Sequence, residues 1–351
     1  MNRVSLAILL LALLSPTALA AAQGRAGGRY AGEPEPTPEL LALRAAAGHG
    51  LDWLVAHQDE DGRWSASLFV RHDDGPEPCD GAGKPDQDLF VTTLACQALQ
   101  FADLHANPGA HTGARDRSER WLLQQLDEHW NHERAADTPV LPHALLGLMV
   151  LERCLPGVDT EHTATCLDAL RGLRALQRPD GGWPATVGGT TACPDATCWA
   201  WLALRVAAMT TVVRAPRDMP GPPLVPQWTG SFATTVVGGD VSPADEAVRT
   251  AFFSAPPRWP LPGDDEDAEP ADGLTWYAAA MAARIRPTDA SRAWQVALRD
   301  LLLDRQRRDG AFAGSWDPVL RRGKELGRVG STALMVLVLQ QLDLHHRQQR
   351  G

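Results

Sequence analysis

The sequence feature that most constrains the fold is a short motif that occurs three times along the chain. Each copy begins with Gln, has Gly four residues after it and an aromatic residue six residues after it. The Gly permits a positive φ, and the Gln amide can bond to backbone groups left unpaired at a helix end. We therefore predict structural roles in turns between helices for Gln58, Gly62, Trp64, Gln177, Gly181, Trp183, Gln306, Gly310 and Phe312, with Trp316 just beyond the third copy.

The stretches between these motifs predict helices of two kinds. Amphipathic stretches, with leucines at three- and four-residue spacing, lie at 40–57, 115–128, 160–177 and 290–306. Stretches that are apolar nearly all round lie at 89–99, 140–151, 199–209, 276–285 and 332–339, and such helices have to be buried on every side. Because the two kinds alternate, we predict an all-α fold, an α/α toroid of outer and inner helices. The many prolines predict that some outer helices are reduced to loops in the 214–272 region.

The three motifs resemble the Gln-Trp repeats of squalene–hopene and oxidosqualene cyclases, which protein prenyltransferase β-subunits share more loosely. The chain is more similar still to exported bacterial proteins that carry prenyltransferase/squalene-oxidase repeats. The stretches that carry this second resemblance include Cys79-Asp80, 275–278, 314–318 and 327–334. The resemblance implies the α/α toroid of the terpenoid cyclase/protein prenyltransferase superfamily, over about residues 50–350.

The chemistry of that superfamily is not evident in the sequence. The resemblance implies that a triterpene cyclase would protonate its substrate with an Asp-x-Asp-Asp motif, and this chain has none. The sequence therefore favours a non-catalytic binding or scaffold module, with an apolar central cavity for a lipid-like or polymeric ligand, or with a protein partner. The alternative is an enzyme, either cyclase-like or prenyltransferase-like on an isoprenoid, or a polysaccharide lyase-like toroid.

Five residues near the starts of apolar helices are the weak candidates for chemistry. His143, Asp80 and Asp195 are candidates for catalysis, and Cys79, Cys193 and His143 for a metal. The resemblance supports the metal alternative because protein prenyltransferases hold zinc with an Asp, a Cys and a His. Capping aspartates and bridged cysteines explain the same residues, so we expect neither a cofactor nor a metal. The pair His345-His346 predicts a solvated helix end.

The first twenty residues predict a signal peptide. Arg3 precedes a short apolar run at 4–14, and the small residues of Ala18-Leu19-Ala20 mark a cleavage site. The predicted organisation is a signal peptide at 1–20, a flexible N-terminus at 21–36 and a toroid domain at 37–351. We expect an exported protein, periplasmic or extracellular, with no transmembrane segment once the signal is cleaved. A retained anchor is the alternative.

Because an oxidising compartment favours disulfides, the expected export predicts that the six cysteines form disulfides. Cys193 and Cys198 are close enough in sequence for a local bridge, and Cys154 and Cys166 flank a predicted helical turn. By elimination Cys79 would pair with Cys96. The formal net charge of −10 argues against nucleic acid as a partner, because an acidic surface repels phosphates.

Overall fold

The computed structural model describes residues 36–73, 78–105, 109–128, 135–153, 163–193, 195–197, 199–200, 203–204, 273–285, 289–320 and 322–350. Within these ranges there are eight α-helices and no β-strand: α1 Pro38–Ala56, α2 Asp88–His105, α3 Thr112–Gln125, α4 Val140–Arg153, α5 Thr163–Ala175, α6 Gly273–Ile285, α7 Asp289–Arg305 and α8 Gly323–Arg350. Short 3₁₀ helices lie at Phe69–His72, Pro85–Gln87 and Gly310–Phe312.

The all-α prediction is confirmed helix by helix. The four amphipathic stretches correspond to α1, α3, α5 and α7, and four of the apolar stretches correspond to α2, α4, α6 and α8. The remaining apolar stretch, 199–209, is described only at 199–200 and 203–204, where it is helical. The predicted signal peptide and the predicted loops of 214–272 lie outside the described residues.

The described chain divides into two compact units. One unit contains α4, α5 and the helical residues of 195–204, and the other contains α1, α2, α6, α7, α8 and α3 as far as Trp121. In the first unit α4 packs against α5, and the Val140 N–H donates to the carbonyl of Ala185 (2.9 Å). The turn after α5 therefore lies at the beginning of α4.

Helix α8 lies at the centre of the second unit. It packs against α1, α2 and α6, and its residues Val329, Ala333, Val336 and Val338 have no exposed surface. Leu94 on α2 is equally buried. The helices whose sequence lacks a polar face are thus buried in the structure, as predicted. Among the described residues, no helix combines the length and the hydropathy that crossing a membrane requires.

A break in α8 positions the polar groups of this unit. Gly327 has φ +65°, and a Cβ at this position would lie 2.4 Å from the backbone nitrogen of Gly83. The Arg328 N–H donates to the carbonyl of Gly81 (2.8 Å), and the Lys84 N–H donates to the carbonyl of Glu325 (2.7 Å). The loop before α2 therefore lies directly against the point where the apolar part of α8 begins.

Candidate functional site

The glutamines of the first two turns pair with backbone carbonyls. Gln58 Nε2 donates to the carbonyl of Gly62 (2.8 Å) and to that of Ala114 on α3 (2.9 Å). Gln177 Nε2 donates to the carbonyl of Gly181 (3.1 Å). Each Gln thus closes its own turn, and Gln58 also ties its turn to a neighbouring helix. Backbone carbonyls that would otherwise lack partners are satisfied in this way.

The tryptophans of the three turns join the outer helices α1, α5 and α7 to the inner helix that follows each of them. Each indole Nε1 donates to a carbonyl near the end of the outer helix, at 2.6–2.9 Å, and each Trp backbone N–H donates to a Thr hydroxyl on the inner helix, at 2.8–3.2 Å. The sets are Trp64 with Leu54 and Thr92, Trp183 with Leu173 and Thr197, and Trp316 with Leu302 and Thr332. The sequence analysis did not identify these threonines.

The third turn is longer than the sequence motif suggests. Gln306 Nε2 donates to the carbonyl of Gly314 (2.9 Å) and to a carbonyl of α1 (2.8 Å). Gly314 and Trp316 therefore occupy the positions that the other copies give to Gly and Trp. The assignment of Gly310 and Phe312 to these positions is wrong, because a four-residue insertion displaces them into a 3₁₀ helix.

A buried arginine begins the apolar part of α8. Arg328 is 1% exposed, and its Nε donates to the carbonyl of Asp80 (2.9 Å) while its Nη2 forms an ion pair with the Asp80 carboxylate. Its Nη1 lies 2.7 Å from the Asp317 carboxylate and donates to Ser315 Oγ (3.1 Å). The guanidinium also lies 4.5 Å from the centre of the Phe312 ring. Asp80, a sequence candidate for catalysis, is therefore a partner that compensates a buried charge.

The second polar group is formed by His57, Asp73 and Cys79. His57 caps the C-terminus of α1, and Asp73 follows the 3₁₀ helix Phe69–His72. His57 Nε2 lies 2.9 Å from Asp73 Oδ1, and the Cys79 N–H donates to Asp73 Oδ2 (2.6 Å). The potential ligand atoms of the three residues all lie within 4.8 Å of one another, and among the described residues no other such group of His, Cys, Asp and Glu occurs.

Aromatic side chains and the end of α1 enclose this group. The His57 ring stacks on Trp53 with 3.9 Å between ring centres, and Phe69 lies beyond them. His57 Nδ1 is 2.7 Å from the carbonyl of Trp53. The side chains of His57 and Asp73 are 5% and 1% exposed. Burial, and then the charge of Asp73 and a hydrogen bond to it, raise the pKa of the Cys79 thiol to about 12.

A charged network lies beside this group. The buried Asp59 forms an ion pair with Arg71, and its carboxylate lies 2.6 Å from His72 Nε2. Burial opposes ionisation of Asp59, but the hydrogen bonds and charges of Arg71 and His72 outweigh it and hold its pKa below the ordinary value. Burial raises the pKa of Asp88, although its carboxylate accepts the Ala66 N–H (2.8 Å). Oppositely shifted carboxylates thus adjoin the beginning of α2.

The predicted Cys79–Cys96 disulfide is wrong. Cys79 lies with His57 and Asp73, whereas Cys96 is fully buried two turns into α2, and the structure contains no bond between them. Cys193 is also a thiol. The predicted Cys193–Cys198 disulfide is therefore also wrong, although Cys198 itself lies outside the described residues. Cys154 and the side chain of Cys166 lie outside the described residues too, so the Cys154–Cys166 pairing stays a prediction.

The remaining sequence candidates lie in the unit of α4 and α5. His143 is 4% exposed, and its Nδ1 lies 2.7 Å from the carbonyl of Pro139. The Cys193 N–H donates to the carbonyl of Trp183 (2.7 Å), and Asp195 begins a helical segment. The described part of the chain does not bring His143, Cys193 and Asp195 into one ligand group.

Comparison with solved structures identifies the fold. A variant of the type II terpene cyclase MstE from Scytonema, in complex with geranylgeranyl dihydroxybenzoate as substrate, is 14% identical and has a TM-score of 0.55. The match covers 88% of this chain and 98% of that chain. The chain has the α/α-toroid fold of type II terpene cyclases. A second MstE variant, in complex with the product merosterolic acid A, is 13% identical with a TM-score of 0.52, and the match covers 89% of this chain and 99% of that chain.

The likeness lies in the structure and not in the sequence. No family model matches this chain, and no curated protein matches it. At 13–14% identity the terpene cyclase-like toroid is shared, and the residues of the cyclases are not transferred to this chain. The repeated turns contribute to this fold, because their hydrogen bonds join α1, α5 and α7 each to the inner helix that follows.

Proposed function

We propose that this terpene cyclase-like toroid is an exported protein that binds a lipid-like ligand of the isoprenoid class without cyclising it. The solved structures with the same fold hold a geranylgeranyl compound and merosterolic acid A. The inner helices of this chain present apolar side chains, which suit a hydrocarbon ligand. The absence of an Asp-x-Asp-Asp motif from the sequence supports binding over protonation of a polyene.

The observation that carries this proposal is the indole of Trp276 on α6. Trp276 is 2% exposed, and its buried Nε1 has no hydrogen-bond partner among the described residues. In all three turns, by contrast, the Trp Nε1 donates to a backbone carbonyl. A buried donor without an acceptor costs roughly 1–3 kcal/mol. A hydroxyl or carbonyl at the polar end of a bound isoprenoid supplies that acceptor.

The test is binding of geranylgeraniol to the purified full chain. Native mass spectrometry measures the number of bound molecules, and titration calorimetry measures the affinity. We expect one bound isoprenoid and recovery of the probe unchanged. Trp276→Phe keeps the ring but removes the donor, and it should weaken binding by about tenfold, the equivalent of one hydrogen bond. Trp294→Phe, on the outer helix α7, is the matched control and should leave the affinity unchanged. A chain that neither retains an isoprenoid nor binds geranylgeraniol would refute the proposal.

An enzyme that acts on an isoprenoid is the second candidate. The pair of His57 and Asp73 favours it, because an acid–base pair that is shielded from water is the kind of group that transfers protons. Gas chromatography of the recovered probe separates the two candidates. A cyclised or otherwise altered product that accumulates with time would support the enzyme and exclude the purely binding role.

A further inference from the structure

We propose that His57, Asp73 and Cys79 form a mononuclear Zn²⁺ site, with His57 Nε2, Asp73 Oδ1 and Cys79 Sγ as ligands. This inference goes beyond ligand binding by the toroid and does not depend on it. The sequence analysis named Cys79 among the metal candidates but identified neither His57 nor Asp73. Three protein ligands leave one position of a tetrahedral ion for water or for an added ligand, the arrangement of catalytic rather than structural zinc sites.

The first argument is distance. The ligand atoms of the three residues lie within 4.8 Å of one another, and the His57 Nε2–Asp73 Oδ1 distance is 2.9 Å. Zinc bonds to N, O and S of roughly 2.0–2.3 Å place the ligand atoms of a tetrahedral ion about 3.3–3.8 Å apart. To surround an ion, His57 Nε2 and Asp73 Oδ1 therefore have to move slightly apart, and the distances to Cys79 Sγ, at most 4.8 Å, are within a side-chain shift of that range.

The second argument is the hydrogen-bond accounting of His57. Its Nδ1 faces the carbonyl of Trp53 at 2.7 Å, and a carbonyl only accepts, so Nδ1 carries the hydrogen. In the neutral ring Nε2 then presents a lone pair, and this lone pair faces the Asp73 carboxylate at 2.9 Å. Two acceptors that face each other need a cation between them: a proton suits the present distance, and a metal ion suits a slightly larger one. The buried surroundings make an uncompensated arrangement costly.

The third argument is that the outer contacts are those of a metal site. The Trp53 carbonyl fixes the tautomer that directs Nε2 towards the ion, and the Cys79 N–H holds the second oxygen of Asp73. Ligating histidines and carboxylates are usually oriented by such contacts. Trp53 and Phe69 add an apolar wall. The combination of an imidazole, a thiol and a carboxylate selects Zn²⁺ over Mg²⁺ or Ca²⁺, which take oxygen ligands.

The test uses the full chain, stripped with a chelator and then titrated with Zn²⁺ against a chromophoric competitor. We expect one equivalent of tightly bound zinc by elemental mass spectrometry. His57→Gln, Asp73→Asn and Cys79→Ser should each weaken binding by about 100-fold or more, since loss of an outer contact alone costs 10–100-fold. Cys193→Ser changes a thiol outside the site and should bind zinc as the wild type does.

Two further measurements distinguish zinc at this site from unfolding of a variant and from zinc bound elsewhere. Substitution with Co²⁺ should give a thiolate-to-cobalt charge-transfer band in the wild type, and this band should be absent from Cys79→Ser while that variant retains its circular dichroism spectrum. The double variant His345→Ala/His346→Ala should keep the zinc. Zinc lost only in that double variant, or a wild type that binds no zinc and gives no thiolate band, would overturn the proposal and leave a hydrogen-bonded His57–Asp73 pair.

Discussion

The first and third turns make the same hydrogen bonds with different lengths of chain. Trp64 follows Gln58 by six residues, whereas Trp316 follows Gln306 by ten. In both turns the Gln amide bonds to the carbonyl of a Gly with positive φ, +98° at Gly62 and +97° in the third turn. The turn is therefore defined by what Gln, Gly and Trp contact, and the four additional residues are accommodated outside these contacts.

The surroundings of the two turns differ much more. The first turn adjoins the buried side chains of His57, Asp59 and Asp73. The third turn adjoins the buried Arg328, which pairs with Asp317, and it carries the partly exposed pair Arg307 and Asp309. Because the third turn keeps its geometry without a comparable His, Asp and Cys group, the repeat does not require that group. The buried group of the first turn thus needs an explanation other than support of the turn, and a ligand or metal role supplies one.

The largest expected effect tests which aromatic residue belongs to the third turn. Trp316→Ala removes a buried ring and its bond to the Leu302 carbonyl, and it should lower the free energy of unfolding by about 4 kcal/mol. Phe312→Ala removes a half-buried ring that contacts two guanidinium groups and should cost about 1 kcal/mol. Urea denaturation measures both, with Trp64→Ala as a control that should match Trp316→Ala. Equal losses at 312 and 316 would contradict the assignment.

The glycines of the third turn provide the next test. In Gly314→Ala the new Cβ would lie 2.4 Å from the carbonyl oxygen of His49 at a positive φ, so we expect a loss of about 3 kcal/mol. Gly310 has φ +47° and open space around the Cβ position, so Gly310→Ala should cost about 1 kcal/mol. The two variants are compared by urea denaturation. A larger loss of stability in Gly310→Ala than in Gly314→Ala would show that Gly310 is the glycine of the motif.

The sequence predicts the helices well because their information is local. Spacing of leucines identifies α1, and the apolar runs identify α2 and the inner part of α8, without knowledge of any distant contact. The same reasoning from spacing fails at the third turn. Because of the insertion, the residue that stands six positions after Gln306 is Phe312 and not Trp316. Spacing alone therefore selects the wrong aromatic residue.

The candidate site was less predictable because its contacts are not periodic. His57 ends a helix, Asp73 follows a 3₁₀ helix and Cys79 precedes α2, so only the path of the loop brings them together. The disulfide prediction for Cys79 failed for this reason. A local signal did exist for the threonines of the turns: Thr92 and Thr332 are hydroxyl residues in otherwise apolar helices, and a buried hydroxyl needs a partner.

A smaller effect compares the glutamines. Gln58→Ala leaves two carbonyls without their donor and Arg117 without an acceptor, so it should cost about 2 kcal/mol. Gln306→Ala loses two bonds and should cost slightly less. Gln124 is exposed, and among the described residues its side chain bonds only to that of Glu128 (2.8 Å), so Gln124→Ala should change stability by less than about 0.5 kcal/mol. Thermal denaturation of the three variants measures the differences. A Gln306→Ala variant with unchanged stability would show that the first and third turns are not equivalent.

The smallest effect concerns the exposed charge of the third turn. A hydrogen bond from Arg307 holds the pKa of Asp309 at about 2, below its ordinary value of 3.8. A carboxylate whose pKa is lower in the folded state stabilises the fold above pH 3.8, and this contribution is lost as the pH falls towards 2. Asp309→Asn should therefore lower the Tm slightly at neutral pH and not at all at the acid end, and salt should reduce the difference because the pair is exposed. A Tm difference that persists unchanged at the acid end would assign the effect to the amide and not to the lost charge.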